Sequence, residues 1–228
     1  MARRAHLPKT TAYRLIDTLV ECGLVERVGT KFSIGLGSAA IGAAYEASIG
    51  RSRLNLLRET AVPYLQDLLS RTKETVHLAV LDGSEVFYLD KVFDSQPTRV
   101  PSRIGSRLPA NCTASGKVLL AGLPKDLLEK AVHDLRRLTP YSQAAPGLFI
   151  AELARVRQDK LASAYEEAAL GLVCVAAPID DCLGMTFAAV SVAGPISRFD
   201  VKLASVAVRR TASEISAAMI SLESLKSG

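Results

Sequence analysis

Two pairs of alternating segments, each pair folded about a glycine-bearing turn, constrain this chain more than any other feature. Val76, Leu78 and Val80 alternate with their neighbours, Asp82-Gly83 interrupts, and Val86 and Tyr88 resume the alternation. That pattern predicts an antiparallel hairpin. Val173 to Ile179 and Met185 to Ala193, separated by Asp180 to Gly184, predict a second. Helical spacing flanks both. Leu54, Leu57, Ala61, Leu65 and Leu68 mark a helix over about 54–70, where Pro63 is expected to introduce a kink. From Asp200 to about Leu225, Val201, Val208, Ile215 and Leu222 recur every seventh residue, with Ala204, Ala212, Met219 and Leu225 between them. Antiparallel hairpins covered by amphipathic helices predict an α+β fold, an antiparallel sheet flanked by helices. A chain of 228 residues buries roughly 70–75% of its unfolded surface, enough to need no disulfide or metal staple.

Several function classes fall away at this level. The longest run without a charge, Cys182 to Ser197, has 16 residues and is broken by Gly184, Gly194 and Pro195. A membrane span needs about 20 apolar residues, so this run reads as a buried strand, and no membrane partner is expected. The opening Met-Ala-Arg-Arg-Ala-His-Leu-Pro has no apolar core of a secretion signal, and a cytoplasmic protein is expected. Cys22, Cys112, Cys174 and Cys182 show no C-x-x-C spacing, and His6, His77 and His133 lie far apart. No metal site is expected.

Charge is concentrated at the beginning. The first 31 residues carry a net +3, whereas the remaining 197 carry +2. Within the basic segment Pro8 suits the first position of a helix, and Ala12, Leu15, Ile16 and Leu19 form one apolar stripe. Thr10, Thr11, Tyr13 and Arg14 lie away from it. Gly23 supplies a left-handed stop, and Leu24 to Val28 and Lys31 to Ile34 flank Gly29-Thr30 as a short hairpin. A helix with a threonine- and arginine-rich outer face followed by a basic hairpin fits a recognition helix and wing, because hydroxyls, Tyr13 and Arg14 reach phosphates and base edges. An amphipathic surface helix with a hairpin fits the same pattern.

The loop Asn111-Cys112-Thr113-Ala114-Ser115-Gly116-Lys117 leads into the helical run Val118 to Ala121. Small residues at a helix start leave backbone N–H groups open to an anion such as a carboxylate. Catalytic patterns are missing. Asn111 stands where a phosphate loop ending in Gly116-Lys117 would need glycine, and no nucleophile elbow or H-E-x-x-H run occurs. Enzymatic activity is not expected. Gly35-Leu-Gly37-Ser-Ala-Ala40 matches a dinucleotide fingerprint in outline, leaving a nucleotide-cofactor enzyme as a remote alternative. That fingerprint needs a buried parallel strand before it, whereas the preceding segments are short and charged, so no cofactor is expected.

The segments Leu7 to Leu19, Gly23 to Arg27, Phe32 to Gly37, Thr75 to Gly83, Arg103 to Pro109, Thr113 to Lys117 and Cys174 to Ile179 together resemble, in order, the bacterial transcriptional regulators of the IclR type. The resemblance implies a winged helix-turn-helix over 1–37, a linker helix over 38–52 and a GAF-like effector-binding and oligomerisation domain over 53–228. It implies DNA contacts from Lys9, Thr10, Thr11, Tyr13, Arg14, Arg27 and Lys31 on a palindromic operator in double-stranded DNA. A homodimer or homotetramer is also implied, together with an effector pocket at Thr113, Ala114, Ser115, Gly116, Cys174 and Ser191 for a small carboxylate. Ala164 and Ala193 stand where the family carries an aspartate and a second serine, which predicts a more apolar ligand than a two-carbon acid, such as an aromatic or longer-chain carboxylate. A winged helix also packs two helices in front of the recognition helix, and only seven residues precede Pro8. The expectation is that this chain binds an operator weakly or not at all, leaving a ligand-binding and dimerisation module as the alternative.

Overall fold

The computed structural model describes residues 8–29, 31–94 and 100–226. The chain divides into two compact units, Met1–Asn55 and Leu56–Gly228.

In the smaller unit, helix α1 (Lys9–Glu21) follows Pro8 directly, and Gly23, at φ +69°, supplies the left-handed turn after it. Strands β1 (Val25–Val28) and β2 (Lys31–Ile34) pair antiparallel, with Arg27 opposite Phe32. A Cβ on Gly35 would collide with the Gly23 carbonyl. Close backbone approach therefore explains this glycine, and the strand before it is half of an antiparallel hairpin rather than a buried parallel strand. The dinucleotide reading of Gly35 to Ala40 loses its structural context. The expected break between a linker helix and a following helix is also absent. A single helix α2 runs Leu36–Thr72 with Pro63 inside it. The side chains of residues 36–52 lie outside the described residues.

The larger unit is built on six strands: β3 (Thr75–Asp82), β4 (Glu85–Val92), β5 (Arg107–Pro109), β6 (Ala162–Tyr165), β7 (Leu172–Asp180) and β8 (Thr186–Pro195). They form one antiparallel sheet in the order β5-β4-β3-β8-β7-β6. Gly83, at φ +63°, closes the first hairpin where Asp-Gly predicts it. Both expected hairpins are present, joined at the centre of the sheet by β3 and β8.

Alternation gives the sheet two chemically different faces. Val76, Leu78, Val80, Val175, Ile179, Val190 and Val192 lie on one and are buried. Helix α6 (Val201–Lys226) packs on β7 and β8 and buries Ala204, Val208, Ala212, Ile215 and Met219. Leu57, Ala61, Leu65 and Leu68 of α2 are fully buried as well. The opposite face presents His77, Ala79, Ala162, Ala164, Cys174, Ala176, Ala189, Ser191 and Ala193. Against it lie the short helix α3 (Ala114–Ala121) and, outside that, α5 (Pro146–Asp159), with α4 (Lys125–Val132) at the periphery. Small side chains let a helix approach the sheet closely, and where α3 begins they leave space.

Candidate functional site

That space is a hollow of about 380 Å³ of empty volume, solvent at its mouth included, at the start of α3. Thr113, Cys174 and Ser191 line it, with Ala164 and Ala193. These two alanines supply the apolar surface that the sequence suggested. His77 and Tyr88 from β3 and β4, Val100-Pro101-Ser102, and Ala168 with Leu172 complete most of the wall. No lysine, arginine, aspartate or glutamate lines it among the described residues.

The loop into α3 differs from the open anion cradle that its small residues suggested. A one-turn 3-10 helix, Ala110–Cys112, precedes it. Thr113 caps α3 by accepting a 3.0 Å hydrogen bond from the Gly116 N–H. The Ala114 N–H lies against the Cys174 sulfur. Ala114, Ser115 and Gly116 are buried behind the wall and do not line the hollow, so Thr113 presents a side chain there instead of a row of free N–H groups. Asn111 pins the same turn from beneath. Its amide donates to the Arg136 and Gln143 carbonyls at 2.7 and 3.0 Å, and its oxygen accepts from the Arg136 N–H at 3.1 Å.

Gly116 is required by contact rather than by conformation. An added Cβ would be driven into the carbonyl oxygen and Cα of Ala110, which are backbone atoms with nowhere to move. Gly116→Ala should therefore lower the unfolding free energy by about 3 kcal/mol, at the upper end of ordinary overpacking. Urea unfolding would show this as a lower midpoint at unchanged slope.

Lys117, the next residue, is 1% exposed and carries an ion-pair cluster that the sequence reading passed over. Its ammonium donates to Glu152 at 2.6 Å, to Glu167 at 2.5 Å and to the Ser163 carbonyl at 3.3 Å. Burial raises the Glu167 carboxyl, and the Lys117 charge opposes that rise. Backbone oxygens of Glu166 and Glu167 also accept from the Thr139 and Ser142 hydroxyls at 2.7 Å each. The turn that carries Ala168 over the hollow is thereby tied to α3. A lysine inside an otherwise apolar helical run was the available signal, since such a residue demands a carboxylate partner.

The polar atoms inside the hollow are neutral. His77 is 3% exposed, and its Nε2 lies 2.7 Å from the Ser102 hydroxyl. Burial first, and the Lys91 charge second, hold its pKa down at about 3. Lys91 donates to the Ser102 carbonyl at 3.0 Å, so Ser102 is held from both sides. Burial pushes the Cys174 thiol up to about 12, with the Ser191 hydroxyl and the Ala114 N–H pulling the other way. It also raises the Tyr88 phenol. A thiol so raised is a poor nucleophile. No cluster that could hold a metal ion occurs among the described residues.

In the smaller unit, Thr10, Thr11, Tyr13, Arg14, Arg27 and Lys31 are all exposed. Lys9 is helical, with its side chain outside the described residues. The Arg27 guanidinium lies 5.5 Å from the Phe32 ring centre. Leu15 and Leu19, in the predicted apolar stripe, are 51% and 38% exposed. No helix among the described residues is long and apolar enough to cross a membrane.

Residues 52–217 match the family model described as bacterial transcriptional regulator IclR C-terminal. Residues 1–29 match the IclR helix-turn-helix domain. The transcriptional repressor IclR of Escherichia coli strain K12 is 36% identical over 204 residues, covering 87% of this chain and 72% of that protein. The crystal structure of the Thermotoga maritima IclR superimposes with a TM-score of 0.69 at 31% identity, covering 96% of this chain and 89% of the other. An IclR homolog from Microbacterium hydrocarbonoxydans, complexed with 4-hydroxybenzoate, gives a TM-score of 0.71 at 27% identity, covering 96% and 88%.

Proposed function

Because this chain belongs to the IclR family of bacterial transcriptional regulators, we propose that the hollow at the start of α3 is its effector site and that it takes an aromatic or longer-chain carboxylic acid. The observation that carries this reading is the wall itself. It is made of aliphatic and aromatic side chains with a few neutral polar groups, His77, Ser102, Thr113, Cys174 and Ser191 among them. That composition suits a largely apolar molecule with a single polar head. The 4-hydroxybenzoate bound by a structural relative has this form. The candidate effector residues are Thr113, Cys174 and Ser191 at the wall, with Ala114, Ser115 and Gly116 shaping it from behind.

The test is a thermal-shift screen of the full chain with 4-hydroxybenzoate, benzoate, octanoate and pyruvate. Ligand at about 100 times its dissociation constant stabilises the fold by about 2.7 kcal/mol, a readily measured rise in midpoint. One or more of the three larger acids should raise the midpoint more than pyruvate does. Ala193 is 3% exposed and lines the hollow, so Ala193→Met should fill it and remove the shift while leaving a folded protein. A midpoint that none of the four acids moves, or a shift that survives Ala193→Met, would rule the reading out.

The smaller unit's role follows the same family logic. DNA contact is proposed through Lys9, Thr10, Thr11, Tyr13 and Arg14 of α1 and Arg27 and Lys31 of the hairpin, acting as a dimer or tetramer on a palindromic site in a cytoplasmic protein. Exposed basic and hydroxyl groups on a helix and hairpin support it. A second reading, a ligand-binding and dimerising module that does not engage DNA, is favoured by the exposure of Leu15 and Leu19, which leaves the apolar stripe of α1 partly uncovered among the described residues. Salt-dependent gel shifts of the chain on an operator, with Arg14→Ala and Arg27→Ala as controls, separate the two.

A further inference from the structure

We propose that the head of the effector docks on His77 Nδ1 and the Ser191 hydroxyl, two neutral groups facing each other across β3 and β8, which together receive a carboxylate. The inference rests on the hollow being the effector site. His77 and Ser191 are direct cross-strand partners in the antiparallel pair, a relation that puts their Cβ atoms about 5 Å apart on one face. Both line the hollow. They are 3% and 1% exposed, yet the His77 Nδ1 has no hydrogen-bond partner, and the polar neighbour of the Ser191 Oγ is only the Cys174 thiol. Buried polar atoms are almost always paired, so an orphaned ring nitrogen beside a hydroxyl that meets only a thiol marks a place prepared for something else to pair with them.

The other ring nitrogen is already committed. When the Ser102 hydroxyl donates to Nε2, 2.7 Å away, Nδ1 carries the proton and points a donor at the incoming oxygen. The Ser191 O–H supplies a second. Tyr88 steadies the imidazole, with ring centroids 5.3 Å apart at 59°. The charged group nearest in register is Lys91, opposite His77 on β4, and its ammonium is spent on the Ser102 carbonyl. Among the described residues, a carboxylate at this spot therefore meets the His77 N–H and the Ser191 O–H and no cation that lines the hollow. His77 thus becomes the positioning residue for the head, a role that the sequence reading did not assign to it.

The experiment is calorimetric titration of the full chain with the acid from the screen that gives the largest shift, on wild type and four variants. Ser191→Ala deletes a hydroxyl whose polar neighbour is only a thiol. It should leave the ligand-free midpoint unchanged or higher and yet weaken binding at least fivefold, a combination that a purely structural serine would not give. His77→Gln keeps a nitrogen near Nε2 but none near Nδ1, and should weaken binding at least tenfold. His77→Asn places its amide nitrogen near Nδ1 and should hold the loss to about threefold, even though it is the less well-filled variant. Ala193→Met should abolish binding. If Ala193→Met abolishes binding while Ser191→Ala and His77→Gln both stay within twofold of wild type, the hollow is the effector site and the docking pair is wrong. The pair is equally wrong if Gln binds better than Asn. If no acid binds wild type, both the effector site and the pair fall together.

Discussion

Lys117→Met should cost the fold about 3–5 kcal/mol, the usual result of removing one partner from a buried ion pair. The loss comes less from missing attraction than from what stays behind. Glu167 keeps a largely buried carboxyl with its Oε2 already unpartnered, and with the ammonium gone it must either remain charged in a poorly solvated place or take up a proton. Glu152 suffers less because its side chain is 24% exposed and water can reach it. The double change Lys117→Met with Glu167→Met should recover most of the stability, since apolar replacement of both partners is often close to neutral. Urea midpoints of wild type, single and double variants give the comparison. A single variant within 1 kcal/mol of wild type would mean that the cluster carries little of the fold's stability. Because the cluster also ties the Glu166–Glu167 turn above the hollow to α3, the double variant should bind its acid more weakly even where its stability returns.

Acid should destabilise the larger unit through His77. Above about pH 6.5 neither the folded nor the unfolded chain holds a proton on this imidazole, and its contribution to stability is complete. As pH falls below 6.5 the unfolded chain takes up the proton, whereas the folded one resists until about pH 3. Each unit of pH in that window removes about 1.4 kcal/mol, or about 3 kcal/mol by pH 4. Glu167 works in the opposite sense. Its raised carboxyl binds a proton in the folded state before the unfolded chain does, so falling pH favours folding at that group. The histidine term is isolated by comparing wild type with His77→Gln at pH 7 and pH 4. The wild type should lose about 3 kcal/mol more than the variant between the two, and parallel losses would show that the imidazole is not held neutral.

Local chemistry made much of this fold legible. Asp82-Gly83 fixed one hairpin and the alternation around it fixed which side chains face inward. A threonine just before a helical run is itself a cap signal, and Thr113 caps α3. What failed were inferences that depend on partners distant in the chain. Small residues at 114–116 suggested open N–H groups, but Gly116 is small because Ala110 presses on it, and its N–H is already taken by Thr113. His77 gave no sign of function because a single histidine in a β-branched strand looks like core. Its meaning comes from Ser102, 25 residues on, and Ser191 across the sheet. Lys117 likewise waits on carboxylates 35 and 50 residues away. Where the linker helix ends could not be read because α2 runs on to Thr72, past the basic pair Arg51 and Arg53.

The unequal faces of the sheet carry a further consequence. Valines, leucine and isoleucine on one side set how the strands and α6 fit together, so a change there disturbs the whole unit. Ala164 and Ala193 on the other side, and Ala168 in the turn above them, border empty volume rather than packed neighbours alone. A larger side chain at any of the three would trim the hollow from a different direction. With the hollow as the proposed effector site, ligand preference is set on one side of the sheet and the strength of the scaffold on the other.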